Sequence, residues 1–221
     1  MLFVNFQNGF CQNKVPQLSH EVATKWFELQ LQLIPKTPGF TPPVVSRALG
    51  YSGLTLYESL VHGMPNYKSL AGELQELEKL PMPLKGQIYD WEIVANNAQF
   101  VITSELYATN HKENLPKIIE LKEGINQKLK EGVNEKTFRA SVKFGEEIAE
   151  AIYKYSKSDG GHHAEKNNFP KDFKGTPGSC MWTPIGSQTA LQPYWGNNRT
   201  FIKGNADFDL PIPPKCEIGN S

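Results

Sequence analysis

Pro42-Pro43-Val44-Val45-Ser46-Arg47-Ala48-Leu49-Gly50-Tyr51-Ser52-Gly53-Leu54-Thr55-Leu56-Tyr57-Glu58-Ser59-Leu60-Val61 is the stretch on which the fold turns. Its two prolines suit a first helical turn, where the backbone N–H has no intrahelical partner to lose. From Val44 to about Val61 the chain is apolar on most faces, with Ser46, Ala48, Gly50, Ser52 and Gly53 set among Leu49, Leu54, Leu56 and Leu60. A helix apolar nearly all round is a buried one, and small residues let neighbouring backbones approach closely. This helix is therefore expected at the centre of a helical bundle, ending at His62-Gly63-Met64-Pro65.

On its amino-terminal side, Ser19 is a plausible cap for a helix running to Ile34, with Val22, Trp26, Leu29 and Leu33 on one face. Pro35 and Thr37-Pro38-Gly39 stop it. On the other side, Leu70, Leu74 and Leu77 predict a short amphipathic helix ending at Pro81 and Pro83. Asp90 can then cap a helix from Trp91 to about Tyr107, with Asn96 and Asn97 in its middle. Ile118, Leu121, Ile125 and Leu129 mark a surface helix over about Leu115 to Lys130. Asn134 caps a sixth, to about Tyr155, whose stripe runs Phe138, Val142, Gly145, Ala149, Ile152.

At Ser158-Asp159-Gly160-Gly161 the helical period is lost. The remainder of the chain is rich in Gly, Pro and aromatic residues, among them Phe169, Phe173, Trp182, Tyr194, Trp195, Phe201 and Phe208, and is expected to wrap over the helices. The expected architecture is all-α: a helical bundle of about six helices with an irregular, aromatic- and Pro/Gly-rich C-terminal segment. It divides into an N-terminal tail (1–18), a helical domain (19–158) and a loop-rich wrapping segment (159–221).

The 221 residues carry 23 Lys plus Arg and 23 Asp plus Glu, so no net field favours nucleic acid or an anionic membrane as partner. No apolar run approaches the roughly 20 residues of a membrane span. Cys11, Cys180 and Cys216 lack a CxxC pair, which argues against a zinc ribbon or a dense disulfide framework and leaves one long-range disulfide open. Only Arg47, Arg139 and Arg199 are arginines, a small supply for gripping an oxyanion bidentately.

Arg47 and Glu58 stand eleven residues, or three turns, apart on the central helix, so both leave nearly the same face of an apolar element. They read first as members of a structural ion-pair or carbonyl network, second as a ligand clamp. His162-His163-Ala164-Glu165 with Asp159 gathers metal-type ligands, but adjacent side chains diverge and the one-turn spacing of a HExxH helix is missing, so metal binding is not expected. No nucleophile elbow, phosphate-binding loop or dinucleotide fingerprint occurs, and no catalytic or cofactor-binding residue is assigned.

Several stretches, in order, resemble the amino-terminal half of bacterial vanadium-dependent haloperoxidase-like proteins, which belong with the type 2 phosphatidic acid phosphatases. They are Trp26 with Leu29, Pro42 to Ala48, Tyr51-Ser52-Gly53, Tyr57-Glu58, Gly63-Met64-Pro65, Trp91 with Ala95-Asn96-Asn97-Ala98, Asp159-Gly160-Gly161-His162, and Leu191 to Arg199. Such enzymes hold vanadate or phosphate with motifs of the form KxxxxxxRP, PSGH and SRxxxxxHxxxD, none of which occurs here. Pro214 to Ser221 looks like a segment that in longer relatives leads into the catalytic half.

The resemblance therefore implies an amino-terminal scaffold, inactive alone, whose partner is a C-terminal catalytic half of the same protein, with vanadate expected only in a full-length relative. A homo-oligomer is a further candidate assembly. With an upstream signal peptide the protein would be periplasmic or exported; the sequence itself leaves the compartment open. The rival reading is a stand-alone helical small-molecule-binding protein with a pocket near Arg47 and the aromatic tail.

Overall fold

In the computed structural model, which describes residues 19–177, 181–187 and 189–207, Asp90 and Asn134 cap helices as their sequence context predicts. Asp90 Oδ1 accepts from Ile93 N–H at 3.0 Å and Asn134 Oδ1 from Thr137 N–H at 2.9 Å. Five helices result: α1 (Glu21–Leu33), α2 (Pro42–Leu60), α3 (Trp91–Tyr107), α4 (Leu115–Leu129) and α5 (Glu135–Ser156). The described residues contain no strand, and the fold is an all-α bundle. Among them no helix is long and apolar enough to cross a membrane. The tail 1–18, all three cysteines, Phe208 and Pro214 to Ser221 lie outside the described residues.

Two expectations need correction. The helix expected over Leu70, Leu74 and Leu77 is a run of turns, because Gly72 and Glu76 adopt left-handed φ of 85° and 61°, which a right-handed helix does not admit. Leu77 is still buried, with Leu70 and Leu74 packed against the core, so the apolar period is real while the backbone is not helical. Also, the cap position of α1 is His20, without a side-chain bond; Ser19 Oγ accepts from Glu21 N–H at 3.1 Å, and Ser19 N–H donates to Glu92 Oε1 at 2.7 Å.

The centre of the bundle is α3, not α2. Every residue from Ile93 to Gln99 is buried, and α1, α2, α4 and α5 all pack on α3. One side carries Val94, Ala98 and Ile102 against Tyr51 and Leu54 of α2 and Phe144, Ile148 and Ile152 of α5. The other carries Ala95 and Tyr107 against Val22, Trp26 and Leu29 of α1 and Ile118 and Ile125 of α4. Each large side chain so buried contributes on the order of 1.5–3 kcal/mol. The backbones of α3 and α5 approach closely at Gly145, where a Cβ would collide with the Val94 carbonyl oxygen.

The amide side chains of α3 are paired inside the core. Asn96 Oδ1 accepts from Trp26 Nε1 at 2.8 Å, and its Nδ2 donates to Asn126 Oδ1 at 2.9 Å. Asn126 Nδ2 donates in turn to Asn97 Oδ1 at 3.2 Å. Gln99 Nε2 reaches the Ser52 carbonyl of α2 at 2.9 Å. Unpaired, such amides would cost several kcal/mol; paired, they fix helix register.

Beyond α5 the described chain forms only short 3-10 turns. Phe201 lays its ring edge-on to Tyr51 of α2, centroids 5.2 Å apart. Phe169, Trp182 and Tyr194 instead stay about half exposed, so packing does not absorb all the tail aromatics.

Candidate functional site

The carboxylate of Asp159 joins three parts of the chain. α5 ends at Ser156, and the buried Asp159 side chain turns back onto α2. Its Oδ2 accepts from Arg47 Nε at 2.7 Å and from the Tyr51 hydroxyl at 2.9 Å, while Oδ1 accepts from Gly161 N–H at 2.8 Å. Burial, then the neighbouring carboxylate, pushes the Tyr51 hydroxyl well above its usual range, so it remains a proton donor.

The last carbonyls of a helix lack partners and carry the negative end of its dipole. Both buried guanidinium groups serve that end of α5. Arg47 Nη2 donates to the Ser156 carbonyl at 2.6 Å and Arg199 Nη2 to the Tyr155 carbonyl at 2.8 Å. Arg199 Nη1 also reaches Glu76 Oε2 and Ser158 Oγ, each at 2.8 Å, and its guanidinium lies 3.9 Å from the Tyr155 ring centroid. The third arginine, Arg139, is exposed and bonded to Glu135 at 2.6 Å.

Arg47 and Glu58 do not pair with each other. Glu58 is fully buried, but it accepts from Ser69 Oγ at 2.8 Å and Leu70 N–H at 2.7 Å, holding the turn after α2. The acid partner of Arg47 is Asp159, 112 positions away, a contact that local spacing does not reveal. Tyr51 is the available clue, since it stands one turn from Arg47 on the same face.

The Gly160-Gly161 step brings the histidine loop against this clasp. Gly160 has φ of 92°, and a Cβ on Gly161 would meet Arg47 Cδ at 2.8 Å, so glycine is required at both. His163 takes a left-handed φ of 57°. The His162 and His163 rings lie against each other with centroids 3.8 Å apart and planes tilted by 34°. His163 Nδ1 lies 3.1 Å from Asn110 Nδ2 and 3.3 Å from Glu165 Oε1. His162 meets the Tyr153 ring edge-on at 6.0 Å. Burial, then His163, Arg47 and Lys157, hold His162 below the ordinary histidine range, so it offers neutral imidazole chemistry, one lone pair and one N–H. Among the described residues no three His, Cys, Asp or Glu side chains converge as metal ligands.

A cavity of about 160 Å³ opens beside this loop, lined by His162, His163, Gln192, Tyr194, Trp195 and Asn198 among others. It is smaller than the roughly 300–1,000 Å³ usual for drug-sized ligands. The larger hollow, about 650 Å³, is an open groove between α1 and α4 with Leu29, Leu121 and Ile125 along it and Lys25, Glu28, Lys117 and Glu120 beside them.

A vanadate- or phosphate-type centre needs several guanidinium or ammonium donors converging on one point beside an imidazole. Here Arg47 and Arg199 are turned onto the end of α5, and Arg139 lies on the outer face. The three arginines do not converge on such a group.

No protein-family model matches this chain, and no curated protein matches it. Among solved structures, the fold is similar to a crystal structure described as that of the first bacterial vanadium-dependent iodoperoxidase. The TM-score is 0.69 at 24% identity, covering 88% of this chain and 46% of that one. This chain thus spans about half the length of that neighbour, with which it shares a haloperoxidase-like fold.

Proposed function

We propose that this chain is the amino-terminal scaffold of a vanadium-dependent haloperoxidase-like or acid-phosphatase-like enzyme, carrying no oxyanion-binding motif and inactive by itself. The fold likeness carries this reading, since 88% of the chain is matched by less than half of a vanadium iodoperoxidase. The disposition of the arginines supports the inactivity, because Arg47 and Arg199 stabilise a helix terminus and are not free to neutralise a bound anion. The role is then mechanical: α1 to α5 form a packed support, and a C-terminal helical half of the same protein supplies the chemistry.

The test is to assay the purified chain with orthovanadate, hydrogen peroxide and iodide or bromide, and separately with a phosphomonoester. No turnover above the protein-free control is expected. Turnover that the substitution His162→Ala abolishes would overturn the reading. The cavity beside His162 favours the rival, a small-molecule-binding protein, only for a ligand of a few heavy atoms. Saturable binding of such a ligand, lost when Trp195 is replaced by alanine, would establish it.

A further inference from the structure

Segment 159–168 holds the tail on the bundle through a small number of polar contacts. Asp159 engages Arg47 and Tyr51, Asn168 Nδ2 donates to the Gly39 carbonyl at 2.8 Å, and Thr41 Oγ1 donates to Asn168 Oδ1 at 2.6 Å. Between these fixed points the chain packs two imidazoles with ring centroids 3.8 Å apart and planes tilted by 34°, in a turn closed by Ala164 N–H to the Gly161 carbonyl at 3.2 Å. A neutral His162 ring packs well at this contact, whereas an imidazolium there is partly desolvated beside Arg47 and Lys157.

We propose that His162, held against the His163 ring, is an acid-sensitive latch: neutral, it docks segment 159–168 against α2, α3 and α5; protonated, it releases that segment while the five-helix bundle stays folded.

The charges around His162 determine the direction. α2 presents Arg47 and α5 presents Lys157 as well as the Tyr153 ring, whose hydroxyl burial raises to about 12 and keeps neutral. Opposing them are Glu105 of α3 and Glu165 of the loop itself. Asp159 is already committed to Arg47, and Tyr194 from the far wall of the cavity brings no charge at neutral pH. Burial, then the neighbouring positive charge, prevails at His162, whose proton affinity is depressed when docked. Because the released segment binds a proton more readily than the docked one, acid favours release. The left-handed backbone of His163 adds local strain that release would relieve.

Hydrogen exchange of the intact chain, read by mass spectrometry at about pH 7.5 and about pH 5.5 and corrected for intrinsic rates, tests this. Protection of peptides covering 159–168 should fall severalfold on acidification, by up to about tenfold for each pH unit of depression at His162, while α3 peptides keep theirs. In His162→Phe, which retains an aromatic ring, the acid-dependent loss should vanish. Should that variant not fold, the imidazole signals of the unmodified chain, followed by nuclear magnetic resonance, supply the second measurement. The His162 midpoint should then lie below 6.5 and coincide with the loss of protection. Equal protection at both pH values, a loss that persists in His162→Phe, or a His162 midpoint at or above 6.5 would each overturn the latch.

Discussion

Arg47 and Arg199 are buried because the carboxyl end of α5 is buried, and that end needs donors. The consequence is a clasp in which one carboxylate, Asp159, ties α2, the end of α5 and the tail together. Replacing one member of a buried pair leaves its partner charged and uncompensated, which costs about 3–5 kcal/mol. Asp159→Asn should therefore lower stability by about 3 kcal/mol in urea unfolding. Tyr51→Phe, which removes one hydrogen bond, should cost about 1 kcal/mol in the native chain and distinctly less in the Asp159→Asn background. Additive losses would show that Tyr51 draws no stability from the Asp159 carboxylate. From sequence, Arg47 reads as a residue that must be paired; the partner it has here, Asp159, is set by tertiary folding across 112 positions and leaves no local trace.

Helices are where the sequence is most legible, and their ends show why. Asp90 and Asn134 cap through bonds made within three residues, so local reading finds them. The turn at Leu70 to Leu77 depends instead on the buried Glu58 carboxylate reaching across from α2 to Leu70 N–H, which periodicity cannot report. Periodicity also misses α3 as the centre, because Asn96, Asn97 and Gln99 look polar until their partners on α1, α2 and α4 are known. The same element logic fixes two glycine substitutions of opposite sign. Gly124 on the exposed face of α4 has open space around its Cβ position, so Gly124→Ala should stabilise by about 0.5–1 kcal/mol through helix propensity. Gly145→Ala gains the same propensity but drives a methyl into the Val94 carbonyl, and overpacking of about 1–3 kcal/mol should make it net destabilising. Thermal melts of the two variants, compared with the native chain, should move in opposite directions.

For the molecule as a whole, the pH response should be dominated near neutrality by two histidines that the fold prefers uncharged. His62 follows α2 with its ring 6.1 Å from Phe144 of α5 and its Nε2 buried without a hydrogen-bond partner among the described residues. Burial lowers its proton affinity, with Glu58 acting in the opposite direction. His162 is lowered too, by burial and by the cations around it. In both cases the folded value lies below the reference of 6.5, so the unfolded chain binds more protons between the two values. Stability from this source is complete above about 6.5 and is lost as the pH falls from there toward the lowered folded values. The two sites should nevertheless respond differently. His162 sits on a segment that can leave by itself, so its proton uptake is satisfied by local opening. His62 is wedged between α2 and α5 and can take up its proton freely only when the bundle opens. The urea midpoint should therefore drop between about pH 7.5 and about pH 5.5, where most carboxylates stay ionised. His62→Gln should remove most of that drop, and His162→Phe should leave it largely in place. A midpoint that holds or rises on acidification would mean that neither histidine is held neutral by the fold.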